Sequence, residues 1–386
     1  MHPSPHALAT SRLATSLLAL SLVGTLAACG SEATDGQAGQ PASPPPPSGS
    51  ASSPASPPAA ASPAAPAPSS EPEVLVTGLE VPWGLAFLPG GDALVSERDT
   101  ARVLRVPAGG GEPVEVTTIQ QTRPGGEGGL LGLAVSPDFA TDQLVFAYLT
   151  AADDNRVVRF RLDQPQDVTP VLTGLPKGRI HNGGRLAFGP DGLLYAGTGD
   201  TGDTSLAQDP RSLGGKVLRM TRDGEPAETA GSLVFSLGHR NVQGLAFDEA
   251  GELYATEFGQ NRFDEVNALV EGGNYGWPEV EGPGDGGGRF IAPLLSWEPS
   301  EASPSGAAIS GGALWVAALR GERLWQVPLT GSGDPESFYR GEFGRLRSVE
   351  TAPDGSLWVL TSNRDGRGEP VRADDRVLRL ALGDGR

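Results

Sequence analysis

The sequence GRLAFGPDGLLYAGTG at residues 184–199 consists of two short apolar runs joined by Pro-Asp-Gly. This tripeptide favours a tight hairpin, because proline presets its own φ, aspartate hydrogen-bonds to the nearby backbone and glycine adopts positive φ. The stretch therefore predicts two paired β-strands.

The same pattern occurs six times. The other copies are WGLAFLPGGDALVSE (83–97), LGLAVSPDFATDQLVFAYL (131–149), QGLAFDEAGELYATEFG (243–259), ISGGALWVAAL (309–319) and RSVETAPDGSLWVLTS (347–362). Several copies are followed by a third apolar segment, such as GKVLRMT (215–221). Units of several strands that recur every roughly 40 to 65 residues predict an all-β fold, a β-propeller. Six copies indicate six blades, or seven if a degenerate copy lies near residues 280–300; a pair of two-sheet sandwiches would not explain six like units.

Composition excludes several classes of protein. The chain has 386 residues, with 29 Lys and Arg against 47 Asp and Glu, a net charge of −18. Such an acidic chain has no basic excess to neutralise phosphates, so we expect no nucleic-acid partner. A single cysteine excludes a disulfide framework and cysteine-based zinc sites.

The N-terminal region predicts export and a lipid anchor. Residues 1–28 read as a signal peptide, because their apolar run LATSLLALSLVGTLAA (13–28) is shorter than the roughly 20 residues that span a bilayer. The run ends at Leu26-Ala27-Ala28-Cys29, which resembles the bacterial lipobox and implies acylation of Cys29; the alternative is an ordinary signal peptide with an incidental cysteine. The Ala/Ser/Pro-rich residues 29–72 predict a disordered linker, and residues 73–386 the propeller. We therefore expect an extracytoplasmic protein that meets the bacterial cell membrane only through its lipid.

The predicted propeller contains two histidines, His181 and His239, each just before the first strand of a copy. Loops that enter the innermost strands crowd one mouth of a propeller's channel. A histidine there is suited to act as a general base, because its pKa lies near neutral pH. The alternative is that each ring hydrogen-bonds to the end of a strand.

Arginines form a second set of candidates. Arg240, Arg320, Arg345 and Arg347 lie near strand ends, and the last two share one face of a strand at i, i+2 spacing. Converging guanidinium groups in an acidic protein suggest a small anionic ligand. The alternative is that they are solvated charges on the rim.

The segment EFGQNRFDEVNALVEGGNYGWPEV (257–280) is a candidate calcium site. Glu257, Asp264, Glu265 and glycine-rich loop carbonyls offer the oxygen ligands that Ca²⁺ prefers, although the segment lacks the EF-hand spacing. Zinc-peptidase, P-loop and α/β-hydrolase motifs are absent from the sequence.

Six segments together resemble one family. They are GEGGLLGLAVSPDF (126–139), HNGGRLAFGPDGLLY (181–195), GKVLRM (215–220), LGHRNVQGLAF (237–247), DEVNALVEGGNYGWP (264–278) and RSVETAPDGSLWVLT (347–361). In this order they are similar to the soluble quinoprotein glucose dehydrogenases, and closest to the bacterial aldose sugar dehydrogenase branch of the glucose/sorbosone dehydrogenase family. The resemblance covers about residues 74–384.

The resemblance implies a six-bladed propeller that oxidises aldose sugars to lactones with pyrroloquinoline quinone (PQQ) and Ca²⁺. His181 falls on the family's catalytic base, which takes the proton of the anomeric hydroxyl while hydride passes to the quinone. Arg240 and Asn241 fall on the pair that contacts the quinone oxygens. The implied partners are a sugar substrate and an electron acceptor that the sequence does not identify.

Further positions match the family's cofactor and metal contacts. They are Glu127, Arg320, Arg345 and Arg347 for PQQ, and the backbone carbonyls of Gly259 and Gln260 for Ca²⁺.

Departures from the family pattern limit what the resemblance implies. Glu127 stands where relatives often have glutamine, and its charge would repel PQQ unless it is protonated or metal-bound. Gln260 replaces a common proline, and Arg320 a common lysine. Ile180 stands where glucose-specific members have aspartate, so selectivity for glucose is not implied. Two alternatives remain at this point, a catalytically silent binding module and a Ca²⁺-dependent lactonase.

Overall fold

The predicted propeller is confirmed by a computed structural model, which describes residues 66–228, 231–329 and 333–383. Within these ranges 24 strands form six four-stranded antiparallel sheets, arranged as the blades of a propeller. The region near residues 280–300 supplies an outer strand of the fourth blade and not a seventh blade. The predicted signal peptide, Cys29 and residues 30–65 of the linker lie outside the described residues.

Each of the first five blades runs from an innermost strand at the channel to an outermost one. The strands of the first two blades are β2 (Pro82–Phe87), β3 (Ala93–Glu97), β4 (Arg102–Val106), β5 (Val114–Thr118), β6 (Leu130–Val135), β7 (Leu144–Thr150), β8 (Asn155–Arg161) and β9 (Gln164–Leu175). Those of the third and fourth are β10 (Leu186–Phe188), β11 (Leu194–Gly197), β12 (Lys216–Met220), β13 (Val234–Leu237), β14 (Val242–Phe247), β15 (Leu253–Glu257), β16 (Asp264–Leu269) and β17 (Leu295–Trp297). The fifth blade has β18 (Pro304–Ser310), β19 (Ala313–Ala318), β20 (Arg323–Pro328) and β21 (Glu336–Phe338).

The sixth blade closes the ring by joining the two ends of the described chain. Its strands are β22 (Leu346–Thr351), β23 (Leu357–Thr361) and β24 (Val377–Leu380), with β1 (Glu73–Val76) as the outermost strand. Residues 66–70, which the sequence assigned to the linker, continue this pairing: the Ser69 amide donates to the Ala381 carbonyl at 2.9 Å. The packed part of the chain therefore begins before residue 73, because the segment after β24 offers backbone partners.

The core lies between the blades. Among the described residues, six clusters of buried apolar side chains fill the six blade junctions. The glycine that recurs in the copies lets neighbouring inner strands approach, since a Cβ at Gly132 would collide with the carbonyl oxygen of Gly184. The two described helices, α1 (Phe139–Asp142) and α2 (Ser205–Gln208), are single turns. Neither has the length or apolar character to cross a membrane.

Candidate active site

The site residues predicted from the sequence lie at one end of the channel. In an antiparallel blade, the connection that enters the innermost strand and the connection between the second and third strands lie at the same end. We call this end the upper mouth, defined by the connections that precede β6, β10, β14 and β22 and those that follow β11, β15, β19 and β23. It carries Glu127, His181, Arg240, Asn241, Gly259, Gln260, Arg320, Arg345 and Arg347.

His181 is held by a buried carboxylate. Its Nδ1 lies 2.6 Å from Oδ1 of Asp200, which follows β11 and is fully buried. Burial alone would raise the pKa of Asp200, but hydrogen bonds from His181 and the Gly202 amide hold its pKa below the ordinary value. An ionised carboxylate only accepts hydrogen bonds, so Nδ1 carries a proton, and in the neutral ring Nε2 keeps its lone pair. Nε2 has no hydrogen-bond partner among the described residues.

The second oxygen of Asp200 fixes the neighbouring tryptophan. Trp277 Nε1 donates to Asp200 Oδ2 at 2.9 Å, and the guanidinium of Arg240 lies 5.5 Å from the Trp277 ring centroid. Arg240 is further held by its amide, which donates to Glu257 Oε2, and by Nη1, which donates to the Phe258 carbonyl. One carboxylate therefore positions both His181 and the aromatic ring beside Arg240.

Glu127 positions the backbone of His181. Its Oε2 accepts the His181 amide at 2.8 Å, and its Oε1 pairs with Arg367 Nη2 at 2.7 Å. Burial would raise the pKa of Glu127, but these two contacts hold its pKa below the ordinary value. Arg367 therefore balances the charge of Glu127, and it is neither of the two means, protonation or a bound metal, that the sequence suggested. His181 itself adopts a φ of 52°, so this amide contact helps to hold a left-handed backbone.

Arg345 and Arg347 pair with a carboxylate of the chain itself, whereas the sequence suggested a small anionic ligand. Arg345 Nε and Nη2 donate to Asp365 Oδ2 at 3.1 and 2.9 Å, and Arg347 Nη2 lies 3.6 Å from the same oxygen. Burial lowers the pKa of Arg347 to about 9, although Asp365 opposes this shift. Both side chains are nearly enclosed, and at neutral pH the three residues together retain one positive charge.

A third buried arginine, Arg185, lies beside this cluster in the channel. The guanidinium carbon of Arg185 is 4.5 Å, and that of Arg347 5.7 Å, from the ring centroid of Trp83. Gln243 accepts a hydrogen bond from each of them, through its carbonyl from Arg185 Nε and through Oε1 from Arg347 Nη1. These three arginines, Arg185, Arg345 and Arg347, form what we call the floor of the upper mouth, which is therefore cationic.

Four buried nitrogen donors in this region have no partner among the described residues. They are Arg185 Nη2, Arg240 Nε, Asn241 Nδ2 and Arg347 Nε. Asn241 Oδ1 already accepts the Gly183 amide at 3.0 Å, so the free atom of that side chain is its donor. Because unpaired buried donors are costly, this set favours a ligand rich in acceptor oxygens.

The loop after β15 orients two carbonyl groups. The amides of residues 260–263 all donate to Glu281 Oε1, and the Gly259 amide donates to Asp264 Oδ1. In a trans peptide the C=O points opposite to the N–H, so the carbonyls of Gly259 and Gln260 face away from Glu281. A Cβ at position 259 would collide with the carbonyl oxygen of Phe263. No three acidic, histidine or cysteine side chains of the described ranges form a metal cluster, so a cation here would depend on backbone oxygens.

Arg320 takes no visible part in this network, and His239 takes part only through Glu257, the carboxylate that also accepts the Arg240 amide. Arg320 follows β19 at the upper mouth, but its side chain is exposed and makes no hydrogen bond or ion pair with the described residues. His239 is fully buried, with Ser236 on Nε2 and Glu257 on Nδ1, both at 2.8 Å. Both ring nitrogens of His239 are therefore hydrogen-bonded within the protein, which was the structural alternative to a catalytic role.

Sequence reasoning missed Asp200, Trp277, Asp365 and Arg367. One signal was present for Asp200: the second strand of a copy ends in a carboxylate at Glu97 and at Glu257, and Asp200 comes shortly after the end of β11. The loop that holds Asp365 and Arg367 shows no repeat, and both belong to the site only through long-range pairs.

Comparison with known proteins identifies the family. The model of the glucose/sorbosone dehydrogenase family matches residues 79–373. The PQQ-bound aldose sugar dehydrogenase of Streptomyces coelicolor is 52% identical, covers 82% of this chain and 100% of its own, and superposes with a TM-score of 0.77. The aldose sugar dehydrogenase YliI of Escherichia coli is 30% identical over 76% of this chain and 90% of its own length. Quinoprotein glucose dehydrogenase B of Acinetobacter calcoaceticus is 33% identical over 57% of this chain and 55% of its own.

Proposed function

The chain belongs to the glucose/sorbosone dehydrogenase family and is a sugar-oxidising oxidoreductase, and we propose that it uses PQQ and Ca²⁺ with His181 as the general base. The observation that carries the proposal is the free Nε2 of His181, fixed by Asp200, in the same mouth as unpaired buried donors. Oxidation of an alcohol by hydride transfer requires a base that takes the hydroxyl proton. It also requires hydrogen-bond donors that stabilise the negative charge developing on the hydride acceptor.

The residues of the mouth fit PQQ. PQQ carries three carboxyl groups and two quinone oxygens, and the free donors of Arg240, Asn241 and Arg347 are complementary to such acceptors. Burial lowers the pKa of Arg240 and Arg347, while the Asp200 carboxylate opposes this shift at Arg240 and the Asp365 carboxylate opposes it at Arg347. We assign these residues to cofactor binding, together with Arg345. Arg320 is exposed, and its assignment to the cofactor rests on the resemblance to the family alone.

Calcium binding is assigned to the Gly259 and Gln260 carbonyls. Glu281 aligns their peptide units, and hard carbonyl oxygens are ligands that Ca²⁺ accepts. Gln260 in place of proline retains the carbonyl, and its amide adds one of the contacts to Glu281.

PQQ, when bound, supplies the hydride acceptor. His181 Nε2 removes the proton of the anomeric hydroxyl as C1 loses its hydride, and the sugar leaves as the lactone. Asp200 stabilises the imidazolium that forms, because its ionised carboxylate stays hydrogen-bonded to Nδ1. Trp277 keeps that carboxylate in place through Oδ2.

Reconstitution tests the proposal directly. Purified protein with PQQ and Ca²⁺ is expected to reduce an artificial dye when aldoses are supplied, and to be inactive without PQQ. A silent binding module or a lactonase would give no dye reduction across a broad panel of sugars. The ion pair with Arg367 supports the first function, because it balances the Glu127 charge that would otherwise repel PQQ.

We also propose that the enzyme is exported and held at the membrane by a lipid on Cys29. Support comes from the apolar run and Leu-Ala-Ala-Cys sequence at residues 13–29. The change Cys29→Ser is expected to abolish labelling by a radioactive fatty acid and to release the protein from the membrane fraction. Unchanged labelling and fractionation would contradict the anchor.

A further inference from the structure

The carboxylate of Glu127 connects three separate loops of the upper mouth. Glu127 precedes β6, its Oε2 binds the amide of His181 before β10, and its Oε1 binds Arg367, which follows β23 in the sixth blade. The Glu127 side chain is 17% exposed and that of Arg367 is 55% exposed. The pair thus has a buried anionic end and a solvent-facing cationic end.

The chemistry of the mouth makes this pair more than a surface ion pair. Exposed ion pairs contribute little to stability, since solvent screens them. An ionised carboxylate beside a site for an anion is different, because like charges a few ångströms apart repel each other, and the repulsion is stronger for a carboxylate that is largely buried, as Glu127 is. Arg240 and Arg347 both have unpaired donors, and Arg347 is linked to Glu127 through Asp365 and Arg367. Without a counter-charge, Glu127 would cancel part of the attraction they offer.

Arg367 is suited to be that counter-charge. Among the described residues, its side chain has Glu127 as its only ion-pair partner, and its amide is anchored to Asp365 Oδ1 at 2.9 Å. Asp365 is the carboxylate that orients Arg345 and Arg347. The loop that carries Arg367 is therefore fixed to the cationic floor of the mouth.

We propose that Arg367 neutralises Glu127, which allows this carboxylate to position His181 without repelling the anionic cofactor. The inference rests on the proposed function for the identity of that cofactor. Glu127 is here a positioning residue, and Arg367 acts through it. Where the residue at position 127 is an uncharged glutamine, such a counter-charge has no purpose; in this chain the two residues form one unit.

A double-mutant cycle, with PQQ affinity as the measured quantity, tests whether Arg367 neutralises Glu127. Apoprotein variants Arg367→Gln, Glu127→Gln and the double variant are titrated with PQQ at fixed Ca²⁺ by calorimetry. Arg367→Gln alone is expected to weaken PQQ binding about tenfold, as one uncompensated charge at several ångströms would. The double variant is expected to recover most of that affinity, because glutamine still accepts the His181 amide and carries no charge. Arg367→Lys should keep the wild-type affinity.

Arg372→Gln is the matched control, because it removes the same charge from an exposed site on the same loop. Its affinity should equal that of the wild type. The proposed neutralisation would be overturned if Arg367→Gln bound PQQ with unchanged affinity, or if the double variant bound PQQ as weakly as Arg367→Gln. Either result would leave the proposed function intact. A wild-type protein that binds no PQQ would refute both.

Discussion

Replacing His181 by asparagine is expected to lower kcat by about 10²–10⁴-fold, the usual contribution of a general base. The imidazole is the one group at the mouth that combines a free ring nitrogen with a fixed tautomer. Asparagine tolerates the left-handed backbone at this position, where φ is 52°. The affinity for PQQ should be largely unchanged, since the unpaired donors belong to other residues.

Steady-state dye reduction and a PQQ titration on the same preparation give the two quantities. His181→Ala serves as the second variant, and added imidazole is expected to restore part of its turnover. If either variant loses PQQ affinity in proportion to kcat, His181 binds the cofactor and is not the base.

The second large effect is expected from Asp200→Asn. An asparagine amide facing Nδ1 would favour the tautomer with the proton on Nε2, and the ring could then no longer accept the sugar's proton. The loss of kcat should approach that of His181→Asn, in the range of about 10²–10⁴-fold. The double variant should be no slower than His181→Asn alone, because the two residues act as a unit.

Asp203→Asn is the control for this change. Asp203 lies in the same loop, is exposed, and hydrogen-bonds only to Ser205 through its side chain among the described residues. Its kcat should remain at the wild-type level. Wild-type kcat in a folded Asp200→Asn variant would refute the orienting role of this carboxylate.

The fold was predictable because its signal is local and repeated. Each copy holds its own hairpin, such as β10 and β11 around the turn at residues 189–192, so pairing within a blade follows from adjacent residues. The ring closure through β1 and β24 was expected of a propeller in general, but the pairing of residues 66–70 was not, since their composition reads as a linker. Backbone amides and carbonyls pair largely independently of the side chains, so a segment with the composition of a linker can still pair with the end of a sheet.

The site was predictable only in part. His181, Arg240 and Arg347 lie in segments that resemble the family, and the structure brings them to one mouth. Asp200 and Arg367 act through contacts that no spacing rule reveals, the latter across 240 positions of the chain. From the sequence the charge of Glu127 was unfavourable for PQQ binding, because Arg367, which balances it, is close in space but distant in the chain.

The central claim is that the upper mouth is a preformed site for a polyanionic quinone, and calorimetric titration of PQQ into the apoprotein tests it most directly. With Ca²⁺ present, we predict saturable binding of one PQQ per chain, weaker when a chelator removes Ca²⁺ and weaker again in Arg347→Gln. The absence of heat and of any spectral change in PQQ under both conditions would contradict the account.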